Sequence, residues 1–140
     1  MKLLVAVDGS PASLRAVNLA VEFARGRQPA SVILLTVQNP AMLGPDIGLM
    51  AAAWAEDEEE RAGEDALKEA VTACQAGGIQ FTTQNERGAP AAMIDQVARQ
   101  ENVDHIIMGS RGLGSVRGLL VGSVATKVLH LVDVPVTIVK

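Results

Sequence analysis

The sequence is poor in the residues that several function classes require. Of its 140 residues, one is a cysteine, Cys74. No disulfide framework and no multi-cysteine zinc site can form within one such chain. At an apolar position of a helical pattern, a lone cysteine reads as a small core residue. Aromatic residues make up 2%: Phe23, Trp54, Phe81 and no tyrosine. A base-stacking platform needs several aromatics on one face. Positive charge is also in deficit, with 12 Lys and Arg against 16 Asp and Glu and a net charge of -4. Duplex-binding domains carry the opposite bias, so nucleic acid is not an expected partner. No apolar run approaches the ~18 residues of a membrane span. The apolar start, Leu3 to Val7, is too short for a signal-peptide core. The expected location is the cytoplasm, without membrane insertion.

What is present is globular. Hydrophobic residues make up 49% and charged residues 20%, outside the disordered range. The length fits one domain, residues 1–140, by the prior of ~100–200 residues each. Five short runs read as strands: Leu3–Val7, Val32–Val37, Ile79–Thr83, His105–Met108 and Val136–Val139. Several are continuously apolar, as in a parallel sheet covered on both faces. Helical patterns lie between them. Ser10 followed by Pro11 is a helix start, and Leu14, Val17, Val21 and Ala24 share a face. A second helix over 51–76 has the stripe Ala62, Ala66, Leu67, Ala70, Val71 and Cys74, and ends at Gly77-Gly78. A third opens at Pro90 and buries Ile94, Val97 and Ala98. A fourth starts near Ser123, carries Val124, Val128 and Leu131, and stops before Pro135. The acidic run 56–60 suits a solvated helix start better than a metal site.

This alternation predicts an α/β fold: an open, doubly wound, five-stranded parallel sheet of order 3-2-1-4-5, with four helices in three layers. Residues 38–50 form a long Pro- and Gly-rich connection. Loops of this length are often functional. Met42, Leu43, Ile47, Leu49 and Met50 would cap a ligand or a partner, or fold onto the domain itself.

Chemistry concentrates in residues 108–124, which follow a strand and run into a helix. Glycines at 109, 112, 114, 118 and 122 allow tight turns and close backbone approach. Residues 105–132 hold Arg111, Arg117 and Lys127 but no Asp or Glu. A glycine-rich loop feeding a helix N-terminus, free of carboxylates, favours anions. The alternative is a surface loop without a ligand. No Walker lysine follows Gly114, and Gly-x-Gly-x-x-Gly is absent. At the other end of the chain, Asp8-Gly9-Ser10 ends the first strand. If the first and fourth strands are neighbours, Asp8 and Gly109 line one crevice at the switch point. Otherwise Asp8 is a turn or capping residue.

On these residues the chain resembles the universal stress protein A-like family, over essentially its whole length. Leu3 to Ser10 is similar to the family's opening strand. Gly88-Ala-Pro90 resembles its Gly-x-Pro before the third helix, 105–112 its fourth strand and loop, and 134–139 its closing strand. Gly109-x2-Gly112-x9-Gly122-Ser123 resembles the Gly-x2-Gly-x9-Gly-[Ser/Thr] signature of the ATP-binding branch. The resemblance implies roles position by position. Asp8 and the backbone of Val37 would contact adenine, and Gly109 the ribose. Arg111, from the carboxylate-free loop and not from the resemblance, is a further candidate at the same ligand. Gly112, Gly122, Ser123 as an N-cap and the backbone of Val124 would hold phosphates. The ligand implied is ATP, with ADP or AMP as variants, and Mg²⁺ bridging the phosphates. Thr36 departs from the histidine of many relatives. The resemblance also implies a homodimer through the C-terminal strand, residues 136–140, and leaves any protein partner unspecified.

The leading expectation is therefore a binding protein that responds to stress through nucleotide occupancy or partner contacts. A slow ATPase or phosphotransferase is the enzymatic alternative; it lacks a base and a metal carboxylate near the loop. His105 and His130 read as structural or exposed. A nucleotide-free interaction module is the third alternative.

Overall fold

Ser10 starts the first helix as its sequence context predicts. In the computed structural model its Oγ accepts from the Ser13 N–H at 3.1 Å. Pro11 sits in the first turn, where its missing N–H costs nothing. The structure describes residues 1–39, 49–110 and 121–140, apart from the side chains of 49–56 and 59. The elements run β1 (Lys2–Ala6), α1 (Pro11–Gly26), β2 (Ser31–Gln38), α2 (Leu49–Gly77), β3 (Gln80–Arg87), α3 (Pro90–Gln100), β4 (His105–Gly109), α4 (Ser123–Leu131) and β5 (Val136–Val139). The expected cap formed by residues 42–50 lies outside the described residues or side chains.

The five strands form one parallel sheet of order β3-β2-β1-β4-β5, as expected. Strands β1, β2 and β4 are central and covered twice. Successive side chains therefore enter two cores. Leu3, Val5, Val32, Leu34 and Ile107 pack on α1 and α2. Leu4, Ile33, Leu35, Ile106 and Met108 pack on α3 and α4. A fully buried leucine such as Leu34 contributes about 1.5–3 kcal/mol of transfer free energy. Cys74 is fully buried on the α2 side. Burial pushes its thiol up to about 11, so it is a core residue and a poor nucleophile.

The C-terminus of α2 closes as Gly77-Gly78 predicts. The Gly78 N–H donates to Gln75 O and the Ile79 N–H to Cys74 O, the paired bonds of a Schellman end.

Four expectations need correction. Strand β3 is eight residues and runs to Arg87, beyond Thr83. Its outer part is polar because an edge strand is held by its ladder to β2, not by burial. In α2 the buried stripe is Gly63, Leu67, Ala70 and Cys74, while Ala62 is exposed. In α4, Ala125 and Val128 are buried, whereas Leu131 is 46% exposed. Finally, the N-cap of α4 is Gly122, not Ser123.

Candidate functional site

Strands β1 and β4 are neighbours, with Ala6 opposite Met108. Their carboxyl ends, carrying Asp8 and Gly109, therefore stand side by side. Asp8 is exposed, and its Oδ1 accepts from the Ser10 N–H at 2.9 Å. This Asx turn is the turn role the sequence allowed. It spends one carboxylate oxygen and leaves the other to solvent. Gly9 between them has φ +78°, a left-handed conformation that favours glycine.

Gly109 ends β4 against the first turn of α1. A Cβ there would lie 2.9 Å from Ala12 C, Ala12 Cβ and Ser13 N. Glycine at 109 is thus required by helix–strand packing, whatever ligand approaches it. The ladder continues one residue further, with the Ser110 N–H on Val139 O at 2.6 Å. Ser110 O in turn accepts from the Gly122 N–H at 2.6 Å. These two bonds fix the N-terminus of α4 over the end of β4.

Gly122 offers no side-chain cap. No described residue accepts from the N–H groups of Ser123, Val124 or Ala125; the first turn closes only from the Thr126 N–H to Gly122 O, 3.0 Å. Unsatisfied first-turn donors carry the positive end of the helix dipole and suit an anion. Ser123 occupies the first helical position and its side chain is exposed. Arg111 and Gly112 lie outside the described residues.

The end of β2 offers a second kind of group. Leu35 O accepts from the Val7 N–H at 2.8 Å, and Gln38 O from the Gly88 N–H at 2.9 Å. Odd-numbered residues here point their backbone groups at β1, and even-numbered ones at β3. The N–H and C=O of Val37 therefore face the space beyond the end of β1, where no described residue bonds them. Thr36 beside it is buried, and its Oγ1 accepts from Gln38 Nε2 at 3.4 Å.

Both histidines lie away from these ends. His130 is exposed, with Nδ1 2.9 Å from Thr126 O. His105 begins β4 at the opposite pole, its Nε2 2.8 Å from Thr137 Oγ1 and its ring edge-on to Phe23. Burial, then the Arg27 guanidinium, lower its pKa from the ordinary 6.5. Folding thus disfavours the charged ring. As pH falls below about 6.5, the unfolded chain takes up a proton that the native chain resists. Stability is lost through the window between the unfolded and folded values and is level below it. The His105→Gln variant should lack that component. Melting curves from about pH 8 to about pH 5 test this; parallel pH profiles for both proteins would contradict it.

Residues 1–140 match the universal stress protein family. A universal stress protein of Bacillus subtilis is 31% identical over 147 residues, covering 99% of this chain and 98% of the relative. The structure of a universal stress protein from Lactobacillus plantarum is similar in fold, with a TM-score of 0.86, 24% identity, and 100% and 97% of the two chains covered. A universal stress protein solved in complex with cAMP has a TM-score of 0.70 at 28% identity, over 99% of this chain and 95% of that one.

Proposed function

The chain belongs to the universal stress protein family, and from that premise we propose that it is a cytoplasmic stress-response protein that binds an adenine nucleotide and acts through occupancy or partner contacts. The observation that carries the reading is the Val37 backbone, which no described residue bonds, beyond the end of β1 and at the same carboxyl end of the sheet as the uncapped N-terminus of α4. Adenine presents an amino donor beside a ring-nitrogen acceptor, the complement of one C=O and one N–H. Guanine presents the opposite pair. The carboxylate oxygen that Asp8 keeps free is a further acceptor for the base. Gly109 has no side chain to obstruct the ribose. Gly122, Ser123 and the Val124 N–H would hold the phosphates, and the sequence motif adds Gly112 and Arg111 as candidates for the same ligand. The related protein bound to cAMP supports an adenine ligand.

ATP is the nucleotide this reading favours, with ADP and AMP as shorter occupants. Among the described residues no cluster of three His, Cys, Asp or Glu would hold a metal alone. Mg²⁺ would then be bound chiefly by phosphates and water, as it often is. Isothermal titration tests the reading. Adenine nucleotides should bind, and guanine nucleotides at least about 100-fold more weakly, because guanine sets its acceptor against the Val37 C=O and its donor against the Val37 N–H. Equal affinity for both bases would remove the Val37 role.

The same proposal includes a homodimer through β5. Val139 O and Pro135 O face β4, so the N–H and C=O of Val136 and Ile138 face outward. β5 is a short, half-buried, apolar edge, unlike the polar edge β3. Such edges tend to be covered by pairing. Ile138→Pro removes one outward donor and none that faces β4. The variant should be monomeric in light scattering while the wild type is dimeric. A dimeric variant with an intact melt would show that this edge is not the interface. Among the described residues, no helix is long and apolar enough to cross a membrane.

A further inference from the structure

We infer that Ser110 is a further ligand-binding residue, its hydroxyl donating to a phosphate oxygen of the bound nucleotide. The inference rests on the nucleotide reading above and deepens it at the phosphate end.

Four polar side chains are buried among the described residues: Ser10, Ser13, Thr36 and Ser110. Three have partners. Ser10 Oγ caps α1, Ser13 Oγ donates to Ser10 O, and Thr36 Oγ1 accepts from Gln38 Nε2. Ser110 is 6% exposed, yet its Oγ has no partner among the described residues. A buried hydroxyl without a partner loses its hydration and gains nothing for it. Such a group needs an explanation, and a ligand atom is one.

Its position says which ligand atom. Along β4, Ile106 and Met108 face the α3 and α4 side, and Gly109 faces α1. The ladder bond from the Ser110 N–H to Val139 O carries this alternation one residue on. The Ser110 side chain therefore lies on the α4 side. Its own carbonyl holds the Gly122 N–H, at the N-cap of α4. It is thus beside the three first-turn N–H groups that no described residue engages. Those donors attract an anion, and a hydroxyl next to them adds a neutral donor with no desolvated charge. Two backbone bonds of 2.6 Å hold Ser110 in place before any ligand arrives, so little ordering is left to bind.

The test compares wild type with Ser110→Ala by titration with ATP, AMP and adenosine, alongside melts of the nucleotide-free proteins. The variant should bind ATP and AMP about tenfold more weakly and adenosine equally well. Its nucleotide-free melt should be unchanged or higher, because the hydroxyl it loses has no partner in the folded chain. Equal ATP affinity in both proteins would overturn the inference and leave the nucleotide reading intact. A lowered melt with an equal loss for adenosine would overturn it too, by showing a structural role. Wild type that binds none of the three compounds would overturn the nucleotide reading and the inference with it.

Discussion

Gly109→Val should destabilise the protein before any question of nucleotide arises. A Cβ at 109 meets the Ala12 and Ser13 backbone at 2.9 Å, closer than such atoms tolerate. The obstructing atoms belong to the first turn of α1, fixed by the Ser10 cap and by Pro11. They are not the flexible end of a side chain, so α1 or β4 must move. Overpacking of this kind costs ~1–3 kcal/mol and sometimes more, and the two methyls of valine put this case at the upper end. A loss near 3 kcal/mol is a large part of the ~5–15 kcal/mol that holds a typical domain together. For a chain of this size it corresponds to a fall in Tm of about 10 °C. Gly109→Ala, with the Cβ alone, should fall between it and wild type. The motif resemblance assigns Gly109 to the ribose; packing assigns it to α1 independently. A Gly109→Val protein with wild-type melting and no nucleotide binding would show that the ribose contact is its whole role.

The parts of this fold that were legible in the sequence are those where burial and local chemistry agree. β1, β2 and β4 are apolar on both faces because both faces are covered. α1 was marked by Ser10-Pro11, and the end of α2 by two glycines. β3 was legible only at Ile79 to Thr83, since its later residues, Gln84 to Arg87, are all polar and are held in the strand by pairing to β2. The α2 stripe was misplaced by one residue at its start because Gly63 carries no hydropathy signal, yet it is the residue that faces inward. Ser123 looked like an N-cap because serine is a good one; the chain uses Gly122, one residue earlier. At the candidate site, residue types at Asp8, Gly109 and Gly122 were readable. Val37 was reached only through the family resemblance; that the described residues leave its backbone unbonded, and the Ser110 hydroxyl without a partner, was not readable. Both depend on which neighbouring strand ends first, and no residue type encodes that.

Gly122→Val should separate binding from folding in the opposite sense. Gly122 has φ -72° and ψ 165°, an extended conformation open to any residue. Its N–H bond to Ser110 O uses the backbone alone and survives the substitution. What changes is the space in front of the α4 N-terminus, where a branched side chain would stand beside the N–H groups of Ser123 and Val124. Valine is also a poorer N-cap than glycine, at a cost of about 1 kcal/mol. The variant should therefore fold, with Tm lower by only about 2–4 °C. Affinity for ATP should fall by at least about 100-fold, because donors that a phosphate cannot reach contribute nothing. Adenosine, which engages the Val37 end, should lose much less. Titration of the folded variant with both compounds decides the matter. If Gly122→Val binds ATP as wild type does, while Arg111→Ala does not, then a side-chain clamp and not the α4 backbone holds the phosphates.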